Sequence, residues 1–264
     1  MARVGFIATG EIAAAMVRGL AGCGHEILVS DRNARIAANL STEVYGVAVA
    51  ANPDVVASSD IVVLCLRAEV ADEVLLPLPF RKGQSVISVM LGVGLNRLRA
   101  LCAPATDIAV TIPMPGIERG GCPLPVFPAS PALESLYGSR NLIMPVSSET
   151  ALNAHFSASA LAAPLLATMA ETAEWLAGHT NDVDRAEAYV VTMVRSLLAP
   201  SPEPSGLAAT LQTLSTEGGL NASLRDRMDP ARTELRRGLD ALAVCLGLRD
   251  TPEDERPDAK SASS

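Results

Sequence analysis

Up to about residue 147 the sequence alternates short β-branched runs with segments whose apolar residues recur at helical spacing; beyond Pro145 the β-branched runs stop. That alternation constrains the fold more than any other feature. Strands that recur with helices between them pair in parallel, because each helix carries the chain back across the sheet in a right-handed crossover. Residues 4–8, 26–30, 47–50, 61–66, 84–89, 107–112 and 141–146 are the expected strands. The run IVVLCL at 61–66 is continuously apolar, as a strand covered on both faces must be. Helices are expected at 11–21 and 34–40, with Asn52-Pro53 opening a further helical turn. Residues 118–125, rich in Gly and Pro, read as a loop, either covering a ligand site with Arg119 available to an acidic ligand or lying plainly on the surface.

From 147 to 248 the chain is rich in Ala and Leu. Helices are expected within 150–177, where Pro164 is a break, a kink or a first-turn residue, and at 184–198, 205–215, 221–228 and 230–246. Asp182 or Asp184 suits a helix cap, Asp229-Pro230 a cap and first-turn pair, and Asn221 a cap after a Gly-Gly turn. Pro200, Pro202 and Pro204 mark a turn or linker. The expected organisation is an α/β domain at 1–147, an all-α domain at 148–249, and a disordered acidic tail at 250–264.

Composition narrows the function. Of 264 residues 49% are hydrophobic, enough for a packed core, and the net charge of −8 argues against a bulk surface for nucleic acid or anionic membrane. No apolar stretch is long enough to span a bilayer, and the first residues read as a strand and not a secretory leader. Five cysteines without a C-x-x-C pair point to reduced thiols in a cytoplasm, and three scattered histidines give no metal site.

The chemistry lies in VGFIATGEIA at 4–13, where a strand turns into a helix. A dinucleotide fingerprint needs small residues there, so that main-chain N–H groups at the helix start can approach a diphosphate. The three key positions are Ala8, Gly10 and Ala13. Asp31 follows 21 residues after Gly10, at the end of the second strand, where a carboxylate can hold ribose hydroxyls. Arg32 and Asn33 come next, and an arginine suits a 2′-phosphate, so the cofactor is NAD or NADP.

The runs GFIATGEIA (5–13), NPDVVASSDIVVL (52–64) and VISVMLGVG (86–94), with TEGG at 216–219, resemble the pyrroline-5-carboxylate reductase family in order and spacing across nearly the whole folded chain. The resemblance implies a Rossmann-like N-terminal domain binding NAD(P)H, an all-α C-terminal dimerisation domain, and a small cyclic imine reduced between them. It further implies that Ala8, Thr9, Gly10, Glu11 and Ile12 hold the pyrophosphate and that Asn52 meets the adenosine ribose or its phosphate. Leu66, Arg67 and Ala68 would stand beside the cofactor, with Met90, Gly92, Met114 and Pro115 flanking the nicotinamide.

Departures from the family pattern fall on the substrate side. MPGIE at 114–118 lacks an amide side chain, SASA at 157–160 carries two extra methyl groups, and GGLN at 218–221 places Leu220 where a hydroxyl is expected. The expected substrate residues are Ser157, Ser159, Ser215, Gly218, Gly219 and Leu220, with His155 and Asn221 as catalytic candidates. Lysine occurs only at 82 and 260, which disfavours hydroxyacid dehydrogenases that take their proton donor from a lysine of the helical domain. Imine reduction needs no such group, since a protonated C=N is already electrophilic. Two other readings remain: a non-catalytic NAD(P)-binding dimer, and a deazaflavin-dependent NADP oxidoreductase.

Overall fold

A computed structural model describes residues 1–198 and 206–248 of the chain. The tail and the proline cluster at 200–204 lie outside the described residues. Contacts divide the protein into two units, Met1–Phe156 and Ser157–Ser264.

The first unit runs β1 (Arg3–Ile7), α1 (Glu11–Gly19), β2 (Glu26–Ser30), α2 (Ala34–Glu43), β3 (Val47–Ala50), α3 (Asn52–Ser58) and β4 (Ile61–Leu64). It continues through α4 (Ala71–Leu75), β5 (Ser85–Ser88), α5 (Leu95–Leu101), β6 (Asp107–Thr111), β7 (Pro123–Phe127), α6 (Pro131–Tyr137), β8 (Leu142–Pro145) and most of α7 (Glu149–Ser159). All eight strands join one sheet in the order β3-β2-β1-β4-β5-β6-β7-β8. The order reverses between β1 and β4, which pair in parallel from Val4↔Ile61 to Ile7↔Leu64. This is the switch point at which doubly wound sheets open a crevice for ligands.

Strand alternation assigns the two faces. Val4 and Phe6 of β1 and Val63 of β4 pack with Met16, Leu40 and Tyr137 of the helices on one side. Ile7, Val62 and Leu64 pack with Val55, Leu75, Leu98 and Leu152 on the other. Coverage on both faces explains why residues 61–64 show no polar alternation.

One expectation needs correction. The sheet is not wholly parallel: β7 runs antiparallel to β6 (Val110↔Phe127, Thr111↔Val126) and parallel to β8. Its Pro123 and Pro125 gave it the texture of a loop, yet Leu124 and Val126 are fully buried and Thr111 Oγ1 donates to Pro125 O at 2.8 Å. Residues 118–125 therefore cannot all be a covering loop, and Arg119 is exposed beside Glu118. The division of contacts falls after Phe156: Leu152 is buried in the first unit's core and Phe156 packs against it.

The second unit contains α8 (Ala162–Thr180), α9 (Val183–Leu197), α10 (Leu207–Thr213), α11 (Leu220–Arg227) and α12 (Asp229–Cys245). Pro164 sits in the first turn of α8, where its missing N–H has no partner to lose. Asp182 caps α9, accepting from Arg185 N at 3.1 Å. Asp229 is the first helical residue of α12 and not its cap, and Asn221 lies inside α11, whose cap is Gly219. This unit buries little: Leu166, Trp175 and Leu207 are 63%, 64% and 78% exposed. A groove of about 360 Å³ between α8 and α9 is lined by Leu166, Met169, Ala173, Val183, Val190 and Val191. No helix among the described residues is long and apolar enough to cross a membrane.

All five cysteines are free. Burial pushes the Cys65 and Cys102 thiols up to about 12, and a thiol held protonated is a poor nucleophile. At pH 8 a disulfide reagent is therefore expected to label exposed Cys23 in the folded protein and to reach Cys65 and Cys102 only in denaturant. Peptide mapping that finds Cys102 modified under native conditions refutes this.

Candidate functional site

The expected cofactor residues lie on one rim, at the C-terminal ends of the parallel strands. Ala8–Ile12 follow β1, Asp31–Asn33 follow β2, and Asn52 follows β3. Leu66–Ala68 follow β4, Met90 and Gly92 follow β5, and Met114 and Pro115 follow β6. Parallel pairing puts these ends at one edge, which no local spacing in the sequence specifies.

At the centre, α1 begins with Gly10 as its cap, and no side chain bonds the helix start. The first-turn amides of an α-helix have no acceptor within it, so Glu11, Ile12 and Ala13 present N–H groups at the positive end of the helix dipole. Gly10 has φ −98° and ψ −171°, an extended conformation, and a Cβ placed there meets nothing within 4 Å. Open space thus stands directly before the amides. Asn52 Oδ1 is buried on the same rim without a hydrogen-bond partner, an exception that asks for a ligand.

Several side chains behave differently from the sequence expectation. The Thr9 hydroxyl does not face the open space: it is buried and donates to Ser30 O at 2.6 Å. Asn33 caps α2, accepting from Ile36 N at 3.3 Å, so its amide oxygen is already engaged. Glu11 is exposed, and a carboxylate there opposes an anion, so its contribution is confined to its backbone N–H. Leu66 and Met90 are core residues, 6% and 2% exposed. Asp31, Arg32, Arg67 and Pro115 are exposed; Ala68 and Met114 are half-buried.

The substrate-side residues divide between the units. His155 on α7 belongs to the first; Ser157, Ser159 and the 215–221 segment belong to the second. His155 Nδ1 lies 2.8 Å from Ala151 O. A carbonyl only accepts, so Nδ1 carries a proton and donates it to this bond, which leaves Nε2 as the uncommitted ring nitrogen. Ser157 is buried, while Ser215 Oγ donates to Leu211 O at 2.6 Å. Gly218 takes φ +72°, which lets the turn close before α11, and Leu220 is 91% exposed.

Two contributors escaped sequence reasoning. Ser30 Oγ accepts from Ala8 N at 2.9 Å, and Glu149 Oε1 accepts from Leu95 N at 2.9 Å, tying α7 to the start of α5 just past Gly92. A signal for the first existed: alanine at the opening position of a glycine fingerprint needs compensation. Nothing local pointed to Glu149, 54 residues from its partner. Among the described residues no cluster of three His, Cys, Asp or Glu could hold a metal ion.

Residues 3–92 match the family model described as NADP oxidoreductase, coenzyme F420-dependent. Among curated proteins none matches the chain. A pyrroline-5-carboxylate reductase from Coxiella burnetii superposes with a TM-score of 0.76 at 20% identity, covering 94% of this chain and 98% of that one. The Plasmodium falciparum pyrroline carboxylate reductase with NADP bound gives 0.76 at 13% identity, covering 94% and 97%. The fold is that of the pyrroline-5-carboxylate reductases. An imine reductase from Pseudomonas sp. is also similar, with a TM-score of 0.60 at 16% identity over 92% of both chains.

Proposed function

We propose that this chain is an NAD(P)H-dependent reductase of a small cyclic imine, working as a homodimer. One observation carries the reading: an uncapped helix start faces open space at Gly10, with the orphaned Asn52 Oδ1 on the same rim. These features fit an adenine dinucleotide. The amides of Glu11, Ile12 and Ala13 would receive the diphosphate, and Asn52 Oδ1 would gain its missing partner by accepting from an adenosine ribose hydroxyl. Asp31 suits the ribose hydroxyls of NAD and Arg32 the 2′-phosphate of NADP. The NADP bound to the Plasmodium falciparum enzyme of this fold supports a nicotinamide dinucleotide as the cofactor.

The bound nicotinamide supplies a hydride. What the protein does is align and exclude. Buried Leu66 and Met90 would keep water from beneath the cofactor, while Ala68, Gly92, Met114 and Pro115 would flank its ring. The resemblance to the pyrroline-5-carboxylate reductases gives Ser157, Ser159, Ser215 and Asn221, with the main chain at Gly218, Gly219 and Leu220, as the residues that would orient the imine. Lys82 stands exposed on a turn and is no proton donor for this step. With Nδ1 donating to Ala151 O, His155 has only Nε2 left for the imine, so its role there is orientation and not the obligatory supply of a proton. His155→Ala is accordingly expected to lower kcat/KM by about tenfold or less, below the roughly hundredfold to ten-thousandfold typical of a lost general acid. Steady-state kinetics reads this directly.

A second substrate reading has its own observation. The exposed aliphatic Leu220 offers no hydroxyl for a carboxylate, which favours an imine lacking one, and the likeness to an imine reductase supports that choice. The description of the matched family keeps deazaflavin-dependent chemistry as a further alternative for the same cofactor half. The bare apolar face of the helical unit supports the homodimer.

Fluorescence titration with NADPH and NADH, followed by turnover assays on cyclic imines with and without a carboxylate, tests the proposal. Cofactor binding with NADPH oxidation is expected. Binding without turnover on either substrate set leaves a non-catalytic dinucleotide protein, and no binding removes the reading altogether.

A further inference from the structure

Ala8 has φ +68°, in the left-handed region. Among the described residues the one other non-glycine there is Asn181, at the end of α8, a position that suits asparagine. For an alanine the conformation is strained, and such a residue persists only where its surroundings over-determine it. The surroundings are a closed ring of hydrogen bonds with Ser30. Ala8 N–H donates to Ser30 Oγ at 2.9 Å, and Thr9 Oγ1 donates to Ser30 O at 2.6 Å. The two hydroxyl oxygens are 3.3 Å apart. Since the Thr9 proton is committed to the carbonyl, the Ser30 hydroxyl is the donor to Thr9. Both side chains are buried, Ser30 fully and Thr9 at 2% exposure, so water cannot replace either partner.

We propose that Ser30 and Thr9 are positioning residues that clamp the β1–α1 loop in its ligand-binding shape, standing in for the glycine absent at position 8. The clamp fixes the backbone just before Gly10, and so the direction of the amides that follow. Ser30 also precedes Asp31 and Arg32, so the same bonds join the diphosphate end of the rim to the ribose end. A glycine would hold the left-handed conformation without a Cβ penalty; an alanine needs the ring to do it. The inference rests on the dinucleotide reading of this rim.

The test is a set of variants read by NADPH titration and by thermal unfolding. Thr9→Val and Ser30→Ala each leave buried polar groups unpaired and are expected to weaken NADPH binding by about tenfold or more. Thr9→Ser, which keeps the hydroxyl, rescues the loss seen in Thr9→Val. Adding Ala8→Gly to Ser30→Ala restores most of the affinity while the melting temperature stays low, because glycine relieves the loop but not the unpaired groups. A merely structural clamp would make affinity follow stability, with no rescue by glycine. Wild-type affinity in both Thr9→Val and Ser30→Ala, or no rescue by Ala8→Gly, overturns the proposal. Should Ser30→Ala fail to fold, Thr9→Val with and without Ala8→Gly reads the same coupling. A wild-type protein that binds neither NADPH nor NADH instead defeats the underlying reading of the site, and the clamp's ligand role with it.

Discussion

Gly10→Val is expected to abolish measurable NADPH binding while leaving the fold in place. The separation of the two effects follows from geometry. Gly10 is in extended backbone that valine adopts freely, and its added carbon meets no atom of the chain within 4 Å. The stability cost is confined to a poorer helix cap, about 1 kcal/mol or 2–4 °C in melting temperature. The ligand cost is much larger. The side chain fills the space through which the amides of Glu11 and Ile12 must reach a diphosphate, and the expected loss is about a hundredfold or more in Kd. Titration beside thermal unfolding decides it: affinity unchanged in a folded variant places the diphosphate somewhere other than the start of α1.

Leu166→Glu is expected to turn a dimer into a monomer. Leu166 is 63% exposed and lines the groove between α8 and α9, whose own unit buries few large side chains. A second copy would cover that face, and on a two-fold interface each substitution counts twice. Losing two buried leucines, at about 1.5–3 kcal/mol each, and introducing two carboxylates weakens association by about a thousandfold or more. Sedimentation at micromolar protein should show a dimeric wild type and a monomeric variant that still binds cofactor, since Leu166 belongs to the second unit. A monomeric wild type would sink the dimer.

Much of this was legible in advance because periodicity and chemistry coincide. Residues 26–30 and 47–50 are strands with the expected bounds, since a short β-branched run between polar turns has one way to be buried. The β7 strand was hidden because two prolines in five residues mimic a loop; tertiary pairing at the far side of the sheet overrode local propensity. The residues named for the cofactor follow the ends of the parallel strands, but position along the chain does not say what each side chain does. Thr9, Asn33, Leu66 and Met90 are spent on the protein's own bonds and core, and spacing cannot tell a side chain that faces outward from one that faces inward.

The sequence by itself determined the alternation of strand and helix, the change to pure helix near residue 147, and the small-residue turn at 8–13, because periodicity and steric demand are local properties of a chain. Only the tertiary structure decided that six strand ends meet on one rim, that the first core reaches to Phe156, and that an alanine could occupy a left-handed position. The reason is the same in each case. Hydrogen bonds such as those from Ala8 and Thr9 to Ser30 span 22 and 21 residues of sequence, and their existence depends on which strands lie side by side.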